Sequence, residues 1–218
     1  MTDTNIAHRP GALTEQGNQI DYLVLDGSSS MAPIWSDVLK SLDAYVQTLK
    51  WDKINTNVRF ATFYNTVPNE LIVDCLVDEW QGLTGFPLPH GLTPLYDAIA
   101  FVGRELRELN PARASIVIAT DGDEAGSTHT DLTQAKAILK WMEAKGWSVT
   151  FIGCDFDNTD LVTTLGVKAS QAIGTSAARL VDATTALAKK RVKNALYGAP
   201  MHWSDEEKEQ FGGYLTNK

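Results

Sequence analysis

Cysteine is nearly missing from this sequence. Its 218 residues include two, Cys75 and Cys154, and each sits in an apolar run (LIVDCLV and VTFIGC). Both read as small buried hydrophobes, which argues against a secreted fold stapled by disulfides. Long apolar runs are missing too: no stretch approaches the roughly 18 consecutive apolar residues of a membrane-spanning helix. The opening MTDTNIAHRPGALTEQGNQ has no apolar core of the kind a secretion signal carries. The expected compartment is therefore the cytoplasm, or the interior of an assembly built there. Positive charge is in short supply, with 19 Lys and Arg against 27 Asp and Glu, a net charge of −8. Such a chain is a poor binder of nucleic acid and a better binder of cations, or of partners reached through a cation. Repeats and low-complexity tracts are absent.

What remains is an ordinary globular composition, 44% hydrophobic and 21% charged. A chain of this length buries roughly 70% of its unfolded surface and needs no structural metal to fold. Short apolar runs alternate with helical stretches. Ile20–Leu25, Val58–Tyr64, Leu71–Val77, Ser115–Thr120, Ser148–Gly153 and Ala169–Ile173 read as strands. The connection N-T-V-P-N, carrying Pro68, makes a hairpin of the second and third. Val38, Leu42, Val46 and Leu49 recur on one helix face, with Pro33 suited to the first turn. Leu95, Ala98, Ile99, Val102, Leu106 and Leu109 form a second stripe, opened by Thr93-Pro94 and stopped by Asn110-Pro111. Asp131 caps a third helix that Gly146 ends. A short helix over 160–165, a long one over 176–196 and a last one capped by Ser204 and Glu207 complete the pattern.

Strands alternating with helices give an α/β fold: a doubly wound, mostly parallel sheet with helices on both faces. Ligands of such sheets sit beyond the carboxyl ends of the strands. Two strands end there in aspartate followed by glycine, at Asp26-Gly27 and Asp121-Gly122, and Thr93 starts a helix between them. With Ser28 and Ser30 these make two carboxylates and three hydroxyls, all hard oxygen donors. They suit Mg²⁺ or Mn²⁺, and Ca²⁺ less well, and lack the Cys or His that Zn²⁺ prefers. Paired carboxylates repel, and a divalent cation removes that cost. A cation so held keeps affinity for one more anionic oxygen, such as a partner's Asp or Glu.

Asp26-Gly-Ser28-Ser-Ser30 resembles the D-x-S-x-S of von Willebrand factor type A (VWA) domains. Gly91-Leu-Thr93-Pro-Leu-Tyr-Asp97-Ala resembles the family's G-x-T-P-L-x-D/E-A, and Thr120-Asp121-Gly122-Asp123 its T-D-G-x. The elements stand in the family's order over about residues 18–190; Leu92 occupies a position where the family carries a second glycine. The resemblance implies six strands, one antiparallel at an edge, and a metal-ion-dependent adhesion site built from Asp26, Ser28, Ser30, Thr93 and Asp121. It also implies a non-catalytic domain that binds protein partners through the metal. Without a secretion signal or a set of cysteines, the chain is similar to intracellular prokaryotic or phage members. These serve as adaptors in larger machines, AAA+ ATPase complexes among them. A structural part in an assembly such as a phage particle is the alternative. Enzyme signatures are missing: there is no G-x-S-x-G, no D-x-D-x-[TV], no Walker A and no G-x-G-x-x-G after the first strand.

The expected organisation is an arm over 1–17, a VWA-like domain over 18–196 and a tail with a short helix over 197–218. The tail either packs on its own domain or reaches a neighbour. Candidate partner contacts are Trp35 and Trp80, if they are exposed and not packed on the core, with His90, Asp123 and His129 on the same rim. Asp97 and Asp123 also have plain structural readings. Asp155, Asp157, Asn158 and Asp160 read as helix capping, and the basic run Lys189, Lys190, Arg191 and Lys193 as charge matched to a helix C-terminus.

Overall fold

A computed structural model describes residues 18–65, 70–83 and 85–212. The arm over 1–17, Pro68 with its neighbours in the hairpin connection, and 213–218 lie outside the described residues. Six strands form one sheet: β1 (Gln19–Asp26), β2 (Asn57–Phe63), β3 (Glu70–Leu76), β4 (Arg113–Thr120), β5 (Ser148–Cys154) and β6 (Ala172–Thr175). Their order is β3-β2-β1-β4-β5-β6, with β3 antiparallel at one edge and every other pairing parallel. The expected fold class holds. From β1 the chain steps outward to β2 and β3, then returns to place β4 on the other side of β1. The sheet reverses its winding between β1 and β4, where a crevice opens at the carboxyl ends.

Period-2 alternation sorts the strand residues between two cores. Leu23 and Leu25 of β1 face α1 (Trp35–Trp51) and α5 (Leu180–Tyr197). Ile20, Tyr22 and Val24 face α2 (Leu95–Leu109), α3 (Leu132–Ala144) and α4 (Thr159–Leu165). The helical stripes are the ones the spacing anticipates. Val38, Leu42, Val46 and Leu49 are at most 1% exposed, and Leu95, Ala98, Ile99, Val102 and Leu106 are equally buried. Burying each such side chain stabilises by about 1.5–3 kcal/mol before chain entropy is counted. Asp131 caps α3 through the Gln134 N–H (2.8 Å), and Gly146 follows that helix at φ +75°. No described helix is long and apolar enough to cross a membrane.

Some local expectations shift. Pro33 lies in a 3₁₀ turn (Ser29–Ile34) ahead of α1 rather than within its first turn. The last strand begins at Ala172, because Ala169–Gln171 forms a 3₁₀ turn. Ala177–Arg179 is likewise a 3₁₀ turn leading into α5. Arg191 departs from the surface role expected of its basic run. It is 1% exposed and reaches across the core to Asp21, because α5 turns this residue toward the sheet. Trp35 (7% exposed) and Trp80 (3%) are core residues and offer no surface anchor. Trp35 opens α1 on its inner side, and Trp80 is drawn in by its indole N–H bond to Asp43 (3.1 Å).

The segment after α5 packs on its own domain. Met201 and Trp203 are buried, and the Trp203 N–H donates to the Ser170 carbonyl (2.7 Å). The capping box of Ser204 and Glu207 opens α6 (Asp205–Phe211). Lys190 pairs with Glu207 (2.6 Å), and the Thr175 hydroxyl donates to the Phe211 carbonyl (2.7 Å) beside the edge strand β6.

Candidate metal centre

Three loops at the carboxyl edge are joined by hydrogen bonds into a closed circuit. Asp26 ends β1, one position beyond the Leu25–Ala119 register pair, so the end of β4 lies beside it. The loop after β1 binds the loop before α2 three times: Ser29 N–H to Gly91 O (3.1 Å), Gly91 N–H to Ser29 Oγ (2.8 Å) and His90 N–H to Gly27 O (2.7 Å). Thr93 then forms a two-way backbone bridge with Ala125 in the loop after β4 (2.8 and 2.9 Å). Ser30 Oγ closes the ring by donating to Asp121 Oδ1 (2.8 Å), and it lies 3.0 Å from Ser28 Oγ. The sequence cannot state these contacts, since they join positions up to 91 residues apart.

All five expected ligand residues belong to this circuit. Asp26 is fully buried, Ser28 and Thr93 nearly so, while Ser30 is exposed and Asp121 half-buried. Pro94 holds the N-cap position of α2, and the Thr93 carbonyl accepts the Leu95 N–H (2.8 Å). Asp26 Oδ1 accepts the Ser28 N–H (2.8 Å) and Oδ2 accepts the Thr120 hydroxyl (2.6 Å). Burial pushes the Asp26 carboxyl up to about 6 despite those hydrogen bonds, and the charge of Asp121 pushes the same way. Burial also raises Asp121. Among the described residues neither carboxylate forms an ion pair with a lysine, arginine or histidine. A buried and a half-buried carboxylate, without an ion-pair partner among the described residues, fit a divalent cation. Among the described residues no group of three or more His, Cys, Asp or Glu gathers in a metal-holding arrangement. The candidate donors are two carboxylates and three hydroxyl oxygens, hard ligands of the type that oxygen-preferring divalent cations take.

The remaining candidates divide. His90 is exposed on the rim with its ring 4.4 Å from that of Tyr64. Asp123 is exposed in the loop after β4. His129 is also exposed but belongs to a scaffold beside the site, 3.5 Å from Asp97. Burial raises the Asp97 carboxyl, but hydrogen bonds from Thr128, Thr130 and His129 outweigh it and leave Asp97 below the usual range. Its structural reading holds. Asp157 accepts the Thr159 N–H (3.0 Å), and buried Asn158 bridges the carbonyls of Phe151 and Ile173. Asp157 thus acts as the capping reading expected, whereas Asn158 makes no side-chain cap to α4 and instead ties β5 to β6.

Sequence reasoning missed Thr120, Ser29 and Asn65. Thr120 was visible only as a letter of the T-D-G element. Asn65 adopts φ +53° and accepts the Leu92 N–H (3.3 Å), steadying the loop that carries Thr93. Leu88 (78% exposed) went unremarked and Leu92 (54%) was noted only as a departure from the family's glycine; both stand on this pinned loop.

No protein family's sequence profile matches this chain, and no characterised protein matches it in sequence. Solved structures do match it in fold. One is the pilus adhesin SpaC from Lactobacillus rhamnosus GG (12% identity, TM-score 0.64, 84% of this chain and 31% of that one). Another is a von Willebrand factor type A protein from Catenulispora acidiphila (15%, 0.60, 81% and 43%). A third is the manganese-loaded TRAP protein of Plasmodium vivax (17%, 0.54, 76% and 71%). The chain thus spans under half the length of the first two. These likenesses show that its fold is the VWA fold.

Proposed function

We propose that this chain is a binding module that captures an acidic side chain of a protein partner through a divalent cation. Asp26, Ser28, Ser30, Thr93 and Asp121 would hold the ion, Mg²⁺ or Mn²⁺. When bound, the ion would offer a coordination position beyond these two carboxylates and three hydroxyls for an outside carboxylate oxygen to fill. One observation carries this reading: the circuit brings the buried Asp26 carboxylate and the half-buried Asp121 carboxylate to the sheet's switch point, with no ion pair to a basic group on either among the described residues. The VWA fold supports it, as does the manganese that the TRAP protein holds. Leu88 and Leu92 support a protein partner over a small free acid, since they keep apolar surface in water on the loop that leads to Thr93. They take the place that the tryptophans were expected to fill.

On this reading the chain is not an enzyme. The Ser28 and Ser30 hydroxyls face each other and Asp121, not a histidine or lysine base. The compartment we assign, the cytoplasm or a phage-like particle built there, and an adaptor role in a larger machine rest on the sequence alone. Calorimetric titration of Mg²⁺ and Mn²⁺ into the protein and into Asp26→Ala tests the central claim. Binding by the former and none by the latter is the expected result; equal heats would refute it.

A further inference from the structure

Thr120 is the last residue of β4 and is fully buried. Its Oγ1 lies 2.6 Å from Asp26 Oδ2 and 3.1 Å from the Gly122 carbonyl, and it receives the Gly122 N–H at 3.2 Å. The closer, charged acceptor takes the single hydroxyl proton. Asp26 is thereby gripped at both oxygens, by Ser28 N–H on one side and by Thr120 on the other. The N–H that steadies Thr120 comes from the residue after Asp121. A single hydroxyl therefore ties the carboxylate at the end of β1 to the turn that carries the carboxylate at the end of β4.

We propose that Thr120 is the positioning residue of the metal rim, fixing Asp26 relative to Asp121 without itself touching the ion. This rests on the cation reading above. Groups that hydrogen-bond to ligand carboxylates typically change metal affinity about 10–100-fold when removed. Valine keeps the shape of threonine and loses the hydroxyl, while serine keeps the hydroxyl and loses the methyl.

The test is calorimetric titration of Mn²⁺ alone into the full chain, as wild type, Thr120→Val and Thr120→Ser, with melting temperatures measured in chelator and in Mn²⁺. Thr120→Val should bind about 10–100-fold more weakly and lose most of the Mn²⁺-induced rise in melting temperature. Thr120→Ser should bind nearly as wild type. Should the valine variant not fold, Thr120→Ala against Thr120→Ser makes the same comparison, both lacking the methyl and differing only in the hydroxyl. Equal affinities for wild type and Thr120→Val overturn the positioning role and leave the cation reading standing. An equal loss in the serine and valine variants also overturns it. A wild type that binds no Mn²⁺ overturns both.

Discussion

Asp21 and Asp26 stand five residues apart on β1, and both are fully buried. Asp21 faces the closed end of the sheet. It accepts hydrogen bonds from Tyr45 (2.7 Å), Thr56 (2.8 Å) and two nitrogens of Arg191 (2.9 and 3.0 Å). Asp26 sits at the open end, where its partners are neutral donors and the charge acting on it is another carboxylate. One residue type on one strand at one depth thus has two fates. The first is a neutralised tie between β1 and α5; the second is a carboxylate held by neutral donors, with no basic partner among the described residues. The buried ion pair and the proposed binding site thus lie at opposite ends of the sheet.

Removing Arg191 should give the largest effect. Arg191→Ala leaves Asp21 as an uncompensated buried charge, and unfolding in denaturant should show a loss of about 3–5 kcal/mol. Mn²⁺ binding by the folded fraction should persist. A loss below about 1 kcal/mol would mean that the two ends are not so different.

At the open end the sign should reverse. The folded protein keeps a proton on Asp26 up to about pH 6, whereas the unfolded chain releases it near 3.8. Between those values the folded state binds more protons, so this group's contribution to stability falls as pH rises through the window. Asp26→Asn removes the charge. Without metal, it should match wild type below about pH 4 and exceed it by up to about 3 kcal/mol at pH 7.5. Denaturation of both proteins at several pH values measures the difference. A variant weaker than wild type at pH 7.5 would contradict the account of Asp26. The smallest effect belongs to neither end. Lys40 and Asp37 form a solvent-exposed pair at 3.3 Å, and Lys40→Ala should change stability by about 0.3 kcal/mol, which calibrates the other two.

Local pattern was enough wherever one residue's neighbours in sequence are also its neighbours in space. The α1 stripe of Val38, Leu42, Val46 and Leu49, the apolar run of β4, and the caps at Asp131 and Ser204 were all legible for that reason. So were the two strand-end aspartates, because their motifs are contiguous. Long-range matters were hidden. Trp80 is buried through Asp43, 37 positions away, and Arg191 through Asp21, 170 positions away. Thr120 meets Asp26 across 94. Nothing in the flanking residues marks any of these pairings.

By itself, then, the sequence determined where strands and helices fall to within a few residues, which apolar stripes of the helices face inward, and that oxygen donors stand at strand ends. Those follow from periodicity and turn chemistry, which act over a few residues. Only the tertiary structure decided which buried acid receives a guanidinium and which does not, which apolar side chains reach the rim, and which hydroxyl holds Asp26. Charge compensation depends on separations of a few ångströms between residues far apart in the chain, and folding alone sets those separations.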